Sequence, residues 1–261
     1  MARTNQNAGS GLPTALLRSA KRNGILMASK STLNAKNLEA LGAERLAQLL
    51  IEISTGDAAA KRKLRLALAG AEGPKEAARE IAKRLTSIAK ARTFVNWQNR
   101  KPLVKDLQTQ RSAIMEQIAP HDAGEALALL WRFMALATPV FERCDDSSGT
   151  VIDIFHQACA DLGEVAVTAK PDPKALAERV LYALQDNGFG QHDGLIAIFA
   201  PALGAEGTAR LKALVEELGC SPVSVPPKSE WKAVIWGTGG TRYAAQHLAT
   251  CADLARNRYR I

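Results

Sequence analysis

The chain has 261 residues, of which 47% are hydrophobic and 23% charged, and this balance excludes an intrinsically disordered protein. Four cysteines without paired spacing exclude a disulfide-rich secreted fold, so we expect a reducing, cytoplasmic location. The formal net charge of +8 favours a polyanionic partner, and no apolar run is long enough to predict a membrane protein.

The first residues differ in composition from the rest of the chain. Residues 1–27 contain no acidic residue, and Arg18 interrupts the apolar run at 12–20, which argues against a secretory signal. The composition is closer to that of an organelle transit peptide. We prefer a simpler interpretation, in which residues 1–27 are a disordered extension or a mis-assigned start, because Met27 can begin the domain.

Helical periodicity begins after Leu33. Asn34 predicts the start of a helix that runs through Ile53 and ends at Gly56. Asp57 predicts the cap of a second helix, whose apolar residues include Leu64 and Leu68.

Pro74 is well placed at the first position of a third helix. Ile81, Leu85 and Ile88 share one face of this helix. A basic stripe, formed by Arg79, Lys83 and Lys90, follows the opposite face.

A break at 92–100 follows, and we expect Phe94 and Trp97 to pin it to the core. A fourth helix at 102–118 is predicted to bury four apolar residues, Leu103, Leu107, Ile114 and Ile118. The most apolar stretch, 126–137, is predicted to be a buried core helix that Pro139 bends or ends.

Four more helices are predicted in the following part of the chain. The polar loop 144–149 precedes a helix at 151–167, and Asp172 caps a helix that closes near Gly188. Segments 194–203 and 206–218 form a pair of short helices. Beyond them we expect a Pro-rich linker at 221–229, a short strand or extended segment at 231–236, and a helix from Arg242 that continues past Ile261.

These elements predict an all-α fold, an array of antiparallel helices with solenoid-like packing, although no strict repeat is visible. The predicted domain is 28–219, with a basic part at 61–111 and an acidic part at 112–219. Residues 220–261 are expected to be a linker and the start of a further helical region.

Several segments resemble an uncharacterised family of bacterial all-helical proteins, known only as a domain of unknown function. They read LNAKNLEALGAERLAQLL (33–50), GDAAAKRKLRLALAG (56–70), RTFVNW (92–97), LLWRFMALATPVFERCDDSSG (129–149), DNGFGQHDGLI (186–196) and IWGTGG (235–240). The resemblance covers 28–261. It implies an all-helical fold and no particular activity.

The basic part is the strongest functional signal, because residues 61–111 hold 14 Lys/Arg against four Asp/Glu. Its cations are suited to neutralising phosphates, and Phe94 and Trp97 to stacking on bases. The alternative is that the charges solvate helix faces or pair with the acidic half. The candidate residues for nucleic-acid or partner binding are Lys61, Arg62, Lys63, Arg65, Arg79, Lys83, Lys90, Arg92, Phe94, Trp97, Arg100 and Lys101.

The polar loop around Asp145, Asp146, Ser147 and Ser148 is the second candidate, because its oxygen atoms suit a hard cation. The calcium-loop template fails here, since Cys144 and Phe155 would take its first and twelfth positions. We therefore expect Ser147 or Ser148 to cap the following helix, with the carboxylates at its positive end.

A third candidate is the group Cys144, His156 and Cys159, which would suit zinc or nucleophilic chemistry if a fourth ligand were present. Burial of the two thiols as small apolar groups is the alternative. GTGG at 237–240 and the pair His192 and Asp193 match no complete motif.

We predict no metal and no cofactor. The preferred function is a non-enzymatic cytoplasmic helical scaffold that binds a macromolecule, most simply a protein. Sequence-tolerant nucleic-acid binding through the basic helices is the alternative. A metal-dependent enzyme that uses the region of Cys144 and His156 is the third.

Overall fold

A computed structural model describes residues 32–220, with side chains described as far as Leu218. The predicted extension 1–27, the linker 221–229, the segment 231–236, GTGG and the helix from Arg242 lie outside the described residues. The domain boundaries at 27 and 219 stay predictions.

The chain divides into two compact units after Thr55. The described part of the first unit holds α1 (Ala35–Glu39) and α2 (Ala43–Ser54). Asn34 caps α1 as predicted, its side chain accepting the N–H of Asn37 at 2.9 Å. The prediction of one helix as far as Ile53 is wrong, because Gly42 has a φ of +81°, which ends α1 before α2 begins.

The described part of the second unit is built of eight helices. A 3-10 turn (Trp97–Asn99) precedes the third of them, and a π-helical turn (Ile114–Ile118) continues it. The helices are α3 (Ala58–Glu72), α4 (Pro74–Lys90), α5 (Arg100–Ala113), α6 (Ala123–Met134), α7 (Ala137–Phe141), α8 (Thr150–Ala169), α9 (Pro173–Gln185) and α10 (Leu195–Cys220).

The predicted all-α class is confirmed. Across residues 32–220 the only extended pairing is a single parallel bridge between Val95 and Cys144. The solenoid-like packing stays a prediction.

The helix starts follow local sequence chemistry as predicted. Asp57 caps α3 by accepting the N–H groups of Ala59 and Ala60 at 2.8 and 3.0 Å. Pro74 occupies the first turn of α4, where its missing N–H costs nothing, and Pro173 does the same in α9.

One side of α3 is buried. Leu66 and Ala69 are buried, whereas Leu68 is 67% exposed. The reason is geometric: positions 66 and 69 share one side of a 3.6-residue helix, and position 68 lies on another.

The centre of the second unit is formed where α6 packs against α8. Phe133 of α6 and Phe155 of α8 are fully buried, with ring centroids 5.4 Å apart. The buried residues of α4, Ile81, Leu85 and Ile88, are those that the periodicity predicted. Within the second unit, α3, α5, α7 and α10 pack against these three helices, and α9 packs against α10.

One apolar stretch, Ala123–Phe141, is long and apolar enough for a membrane span by length and composition, with a mean hydropathy of 1.2. It includes α6, a turn and α7, and 56% of it is buried inside the fold. A buried core helix meets the same criterion. Leu129, Leu130 and Phe133 are at most 1% exposed, as expected for the predicted core helix.

α10 contains a kink that separates two helical segments. Gly204 has φ +57° and ψ −162° inside the element, so the prediction of two short helices agrees with the backbone. The first segment passes close to α8. A Cβ atom added to Gly163 would lie 2.8 Å from the backbone oxygen of Ile198.

This close approach gives a testable prediction. Gly163→Ala should destabilise the protein by about 1–3 kcal/mol, although alanine is the better helix former, because α8 and α10 must move apart. Urea unfolding measures the change. Gly124→Ala is the matched control in α6, since its added Cβ makes only an ordinary 3.4 Å contact, with Asp122. Equal stability of the two variants would contradict the close packing.

Candidate nucleic-acid interface

The basic residues of α3 follow directly from its capped start. Because Asp57 fixes the first turn, Lys61, Lys63 and Arg65 lie on the next turn and are exposed. The same N–H groups of Ala60 and Ala59 hold the pKa of Asp57 below its usual range. The capping carboxylate therefore stays charged at neutral pH.

An open groove of about 320 Å³ lies between α3 and α5. Lys63 comes from one wall and Lys105 from the other. Hydrogen-bonding side chains line the rest of the second wall, and Glu116 is the acidic residue among them. The lining residues are Lys63, Leu66, Ala67, Lys105, Gln108, Thr109, Ser112, Ala113, Glu116 and Gln117.

α5 presents one polar face to this groove. Lys101, Lys105, Gln108 and Ser112 recur at intervals of three or four residues, so they follow one side of the helix. Leu107, on another side of α5, is fully buried.

Two ion pairs fix the rotation and position of α5. Arg84 of α4 donates through Nε to Asp106 at 2.9 Å. Arg111 donates through Nη2 to Asp161 of α8, also at 2.9 Å. These pairs tie α5 to α4 and α8, so the lysines on its exposed side have a defined placement.

The segment between α4 and α5 is held by a set of polar contacts with the loop before α8, which we call the clasp. Val95 N donates to the backbone oxygen of Arg143 at 2.7 Å, and Asp145 N donates to the backbone oxygen of Val95 at 2.9 Å. The guanidinium of Arg143 reaches the backbone oxygens of Thr93 and Ile88, each at 3.4 Å. The clasp therefore fixes residues 93–95 through their backbone.

Asp146 and Arg100 complete the clasp. The Asp146 carboxylate accepts the N–H of Val151 at 3.0 Å and the N–H of Ile152 at 2.9 Å. Arg100 lies 3.6 Å from the same carboxylate and donates to the backbone oxygen of Asp145 at 2.8 Å. One acidic side chain thus caps α8 and also fixes the start of α5.

The prediction of a serine cap for α8 is wrong in its main part. Asp146 accepts the N–H groups of Val151 and Ile152, while Ser148 Oγ accepts the N–H of Thr150 at 3.4 Å and shares a 2.7 Å hydrogen bond with the Thr150 hydroxyl. Asp145 accepts the N–H of Ser147 at 3.0 Å, which holds the pKa of Asp145 below its usual range. The expectation that the carboxylates lie at the positive end of α8 agrees with these contacts.

The structure separates the predicted basic residues into paired and unpaired groups. Arg79 pairs with Glu76 at 3.4 Å, and Lys83 pairs with Glu80 at 3.3 Å. Arg100 is mostly buried in the clasp. Among the side chains described, no ion pair forms at Lys61, Arg62, Lys63, Arg65, Lys90, Arg92 or Lys101.

Phe94 and Trp97 do not pin the connection to the core, and that prediction is wrong. They are 65% and 63% exposed. The clasp fixes this segment through its backbone, and Val95 is the side chain that packs against the core. The two aromatic rings are therefore free to face solvent.

The structure does not bring the third candidate group together for metal binding. Among the described residues, no group of three or more His, Cys, Asp or Glu side chains is placed to hold a metal ion. Burial raises the pKa of Cys144, and it raises the pKa of Cys159 to about 12. Both thiols therefore stay protonated at neutral pH. His156 lies 3.0 Å, through Nε2, from the backbone oxygen of Gly190.

His192 lies buried in the loop before α10. The backbone N–H of His192 donates to Asn187 Oδ1 at 2.7 Å, and the side-chain amide of Asn187 donates to Asp193 Oδ1 at 2.9 Å. Burial lowers the pKa of His192 to about 4. The imidazole is therefore neutral near pH 7, as expected for a structural group.

The sequence-based list of candidate residues missed Lys105 and the neutral donors of α5. The spacing from Lys101 to Lys105 is one helical turn, so the signal was present. The position of α3 opposite this turn depends on tertiary packing. It cannot be predicted from a local pattern in the sequence.

Fold and site together define an all-helical protein with a basic groove and an adjoining pair of exposed aromatic residues. Residues 28–258 match the model of a family of unknown function, DUF6880. The chain belongs to that family, which confirms the predicted resemblance to an uncharacterised family. No curated protein and no solved structure matches the chain.

The clasp predicts a large effect of a single carboxylate. Asp146→Ala removes the α8 cap and leaves Arg100 unpaired, so we expect a loss of about 2–4 kcal/mol in urea unfolding. Asp153→Ala is the control, because Asp153 lies exposed in the first turn of α8 and should matter by only about 0.5 kcal/mol. Similar losses of unfolding free energy in both variants would show that the clasp contributes nothing to stability beyond an ordinary helix-end charge.

The buried imidazole predicts a pH dependence of stability. The folded-state pKa of about 4 lies below the ordinary value of 6.5, so folding favours the neutral form. This contribution is present above about pH 6.5 and is lost as the pH falls to 4, by about 3 kcal/mol. His192→Leu should make the decline in unfolding free energy between about pH 7 and 4.5 shallower. His121→Gln is the control, because His121 is exposed. If the unfolding free energy of His192→Leu declined with pH as steeply as that of the wild type, the prediction would be wrong.

Proposed function

We propose that the protein is a non-enzymatic binding protein whose partner is a polyanion held in the groove between α3 and α5. The observation that carries the proposal is the convergence of Lys63 and Lys105 from two helices on one groove. Gln108, Thr109 and Ser112 add neutral hydrogen-bonding groups on the same wall. Cations and neutral donors together suit the oxygen atoms of phosphate or sulfate groups.

The charge around the groove supports the same partner. Lys101 precedes Lys105 by one turn of α5. Lys61 and Arg65 lie two residues from Lys63 and therefore on the other side of α3, where Arg65 lines a second groove with Glu72, Glu76 and Glu80. Cations without a carboxylate partner keep their attraction for an incoming anion, whereas Arg79 and Lys83 are largely neutralised by their glutamates. Lys63, Lys105 and Lys101 are therefore available to an incoming anion.

The state of the nucleophilic candidates supports a non-enzymatic role. A protonated thiol is a poor nucleophile, and burial raises the pKa of both Cys144 and Cys159. The carboxylate of Asp146 is committed to the α8 cap and to Arg100. The predicted cytoplasmic location is part of this proposal.

The proposal predicts a position-specific effect of charge reversal. The double variant Lys63→Glu, Lys105→Glu should weaken binding of heparin and of nucleic acid by about tenfold or more, because two anions would line the groove. Fluorescence anisotropy with labelled probes at fixed salt measures the affinity. Both side chains are exposed, so circular dichroism should show an unchanged fold.

The matched control is Lys174→Glu, Lys212→Glu, which changes the net charge equally on α9 and α10, away from the groove. Its ion-pair partners, Glu206 and Glu216, lie at the surface, so little stability should be lost. An equal loss of binding in the two double variants would mean that total charge alone attracts the probe. The proposed site would then be wrong.

A protein partner, as in the scaffold prediction, is the second candidate. The observation that favours it is α2, on which Leu50, Ile51 and Ile53 are 48%, 67% and 70% exposed. Exposed apolar residues in one helix are typical of protein contact surfaces. This role is compatible with polyanion binding, since α2 belongs to the first unit and the groove to the second.

A further inference from the structure

We infer that the polyanion is a single-stranded nucleic acid, with its phosphates along Lys101, Lys105 and Lys63 and its bases stacked on Phe94 and Trp97. The inference rests on the proposed function, because it names the class of polyanion that the same groove takes. It extends the site from the groove to the exposed segment before α5.

The exposed rings are the first observation. Phe94 and Trp97 leave about two-thirds of their surface in water, in a protein that has only ten Phe and Trp residues among its 261. Large apolar side chains left in solvent mark contact surfaces when they occur together. Three positions separate these two, on a segment fixed by the clasp.

A cation lies near each ring in the sequence. Arg92 precedes Phe94 by two residues, and both side chains are exposed. The 3-10 turn at Trp97 leads directly into α5, so Trp97 lies about one turn before Lys101. Each aromatic residue therefore has an adjacent positive charge.

The cations then continue into the groove. Lys105 follows Lys101 by four residues, or about 6 Å along the helix axis. Lys63 faces Lys105 across the groove. The resulting path runs from the rings to the charges of the groove. Two carboxylates lie beside it: Glu116 lines the groove, and Asp57 at the start of α3 interacts electrostatically with Lys105.

The clasp makes this surface rigid before any ligand arrives. Backbone bonds of 2.7 and 2.9 Å hold Val95, and Arg100 is tied to Asp145 at 2.8 Å. A segment ordered in advance loses less conformational entropy on binding. The arrangement thus favours ligand binding over collapse of the rings onto the protein.

The combination of exposed aromatic rings and nearby cations favours a single-stranded nucleic acid over other polyanions. A base can stack on a protein ring only if its face is free, and in a duplex both faces are already stacked on neighbouring bases. Heparin and acidic proteins offer charges but no bases for the rings. Anionic membranes also attract basic and aromatic side chains, so they form one arm of the test.

The test compares four probes on the full chain: a single-stranded oligonucleotide, the duplex of the same sequence, heparin and vesicles of anionic phospholipid. We expect the single strand to bind most tightly. The double variant Phe94→Ala, Trp97→Ala should weaken single-strand binding by about tenfold or more and leave heparin binding unchanged. Trp97→Phe, made alone, should retain most of the affinity, because phenylalanine still stacks.

Tyr182→Ala is the matched control, since Tyr182 is another aromatic residue, 68% exposed, on α9. Its single-strand affinity should equal that of the wild type. All the altered residues are exposed, so each variant should keep the thermal midpoint of the wild type.

The outcomes distinguish the single-strand inference from the proposed polyanion site. Equal affinity for single strand, duplex and heparin, with no effect of the aromatic variant, would overturn this inference and leave the proposed polyanion site standing. Failure to bind any polyanion would overturn both. Vesicle binding that requires Phe94 and Trp97, without binding of the oligonucleotide, would identify a membrane surface instead and overturn this inference.

Discussion

The rest of the candidate site depends on the contacts of the Asp146 carboxylate. It satisfies N–H groups at the start of α8 and pairs with Arg100 at the start of α5, so one side chain sets the relation between two helices distant in sequence. The surrounding clasp holds residues 93–95 by their backbone and leaves the side chains of Arg92 and Phe94 exposed. Without it, the rings would have no defined place beside Lys101.

The distribution of ion pairs decides which positive charges are available to a partner. Arg84, Arg100 and Arg111 bind carboxylates of the fold and act as structural groups. Arg79 and Lys83 are balanced along α4 by glutamates one turn away. The candidate cations without an ion pair lie on α3, at the end of α4, on the segment before α5 and on the exposed side of α5. The ion pairs thereby divide the basic stretch into structural cations and cations available to a partner.

Much of the fold was predictable because its signals are local. Asp57, Pro74 and Asp172 mark helix starts by hydrogen bonding or by a fixed φ, and the buried face of α4 follows from its periodicity. Gly42 was misjudged because a glycine within a periodic segment does not reveal its φ. The exposure of Phe94 and Trp97 was missed because apolar character alone predicts burial. The clasp that prevents it joins residues about 50 positions apart.

The most direct measurement is ultraviolet cross-linking of the wild-type protein to a single-stranded oligonucleotide, with the attached peptides identified by mass spectrometry. We predict adducts on the peptides that contain Phe94 and Trp97, and on those that contain Lys63 and Lys105, with loss of both at high salt. Adducts confined to α6–α10, or spread evenly over the chain, would contradict a binding surface built by the clasp and the α3–α5 groove.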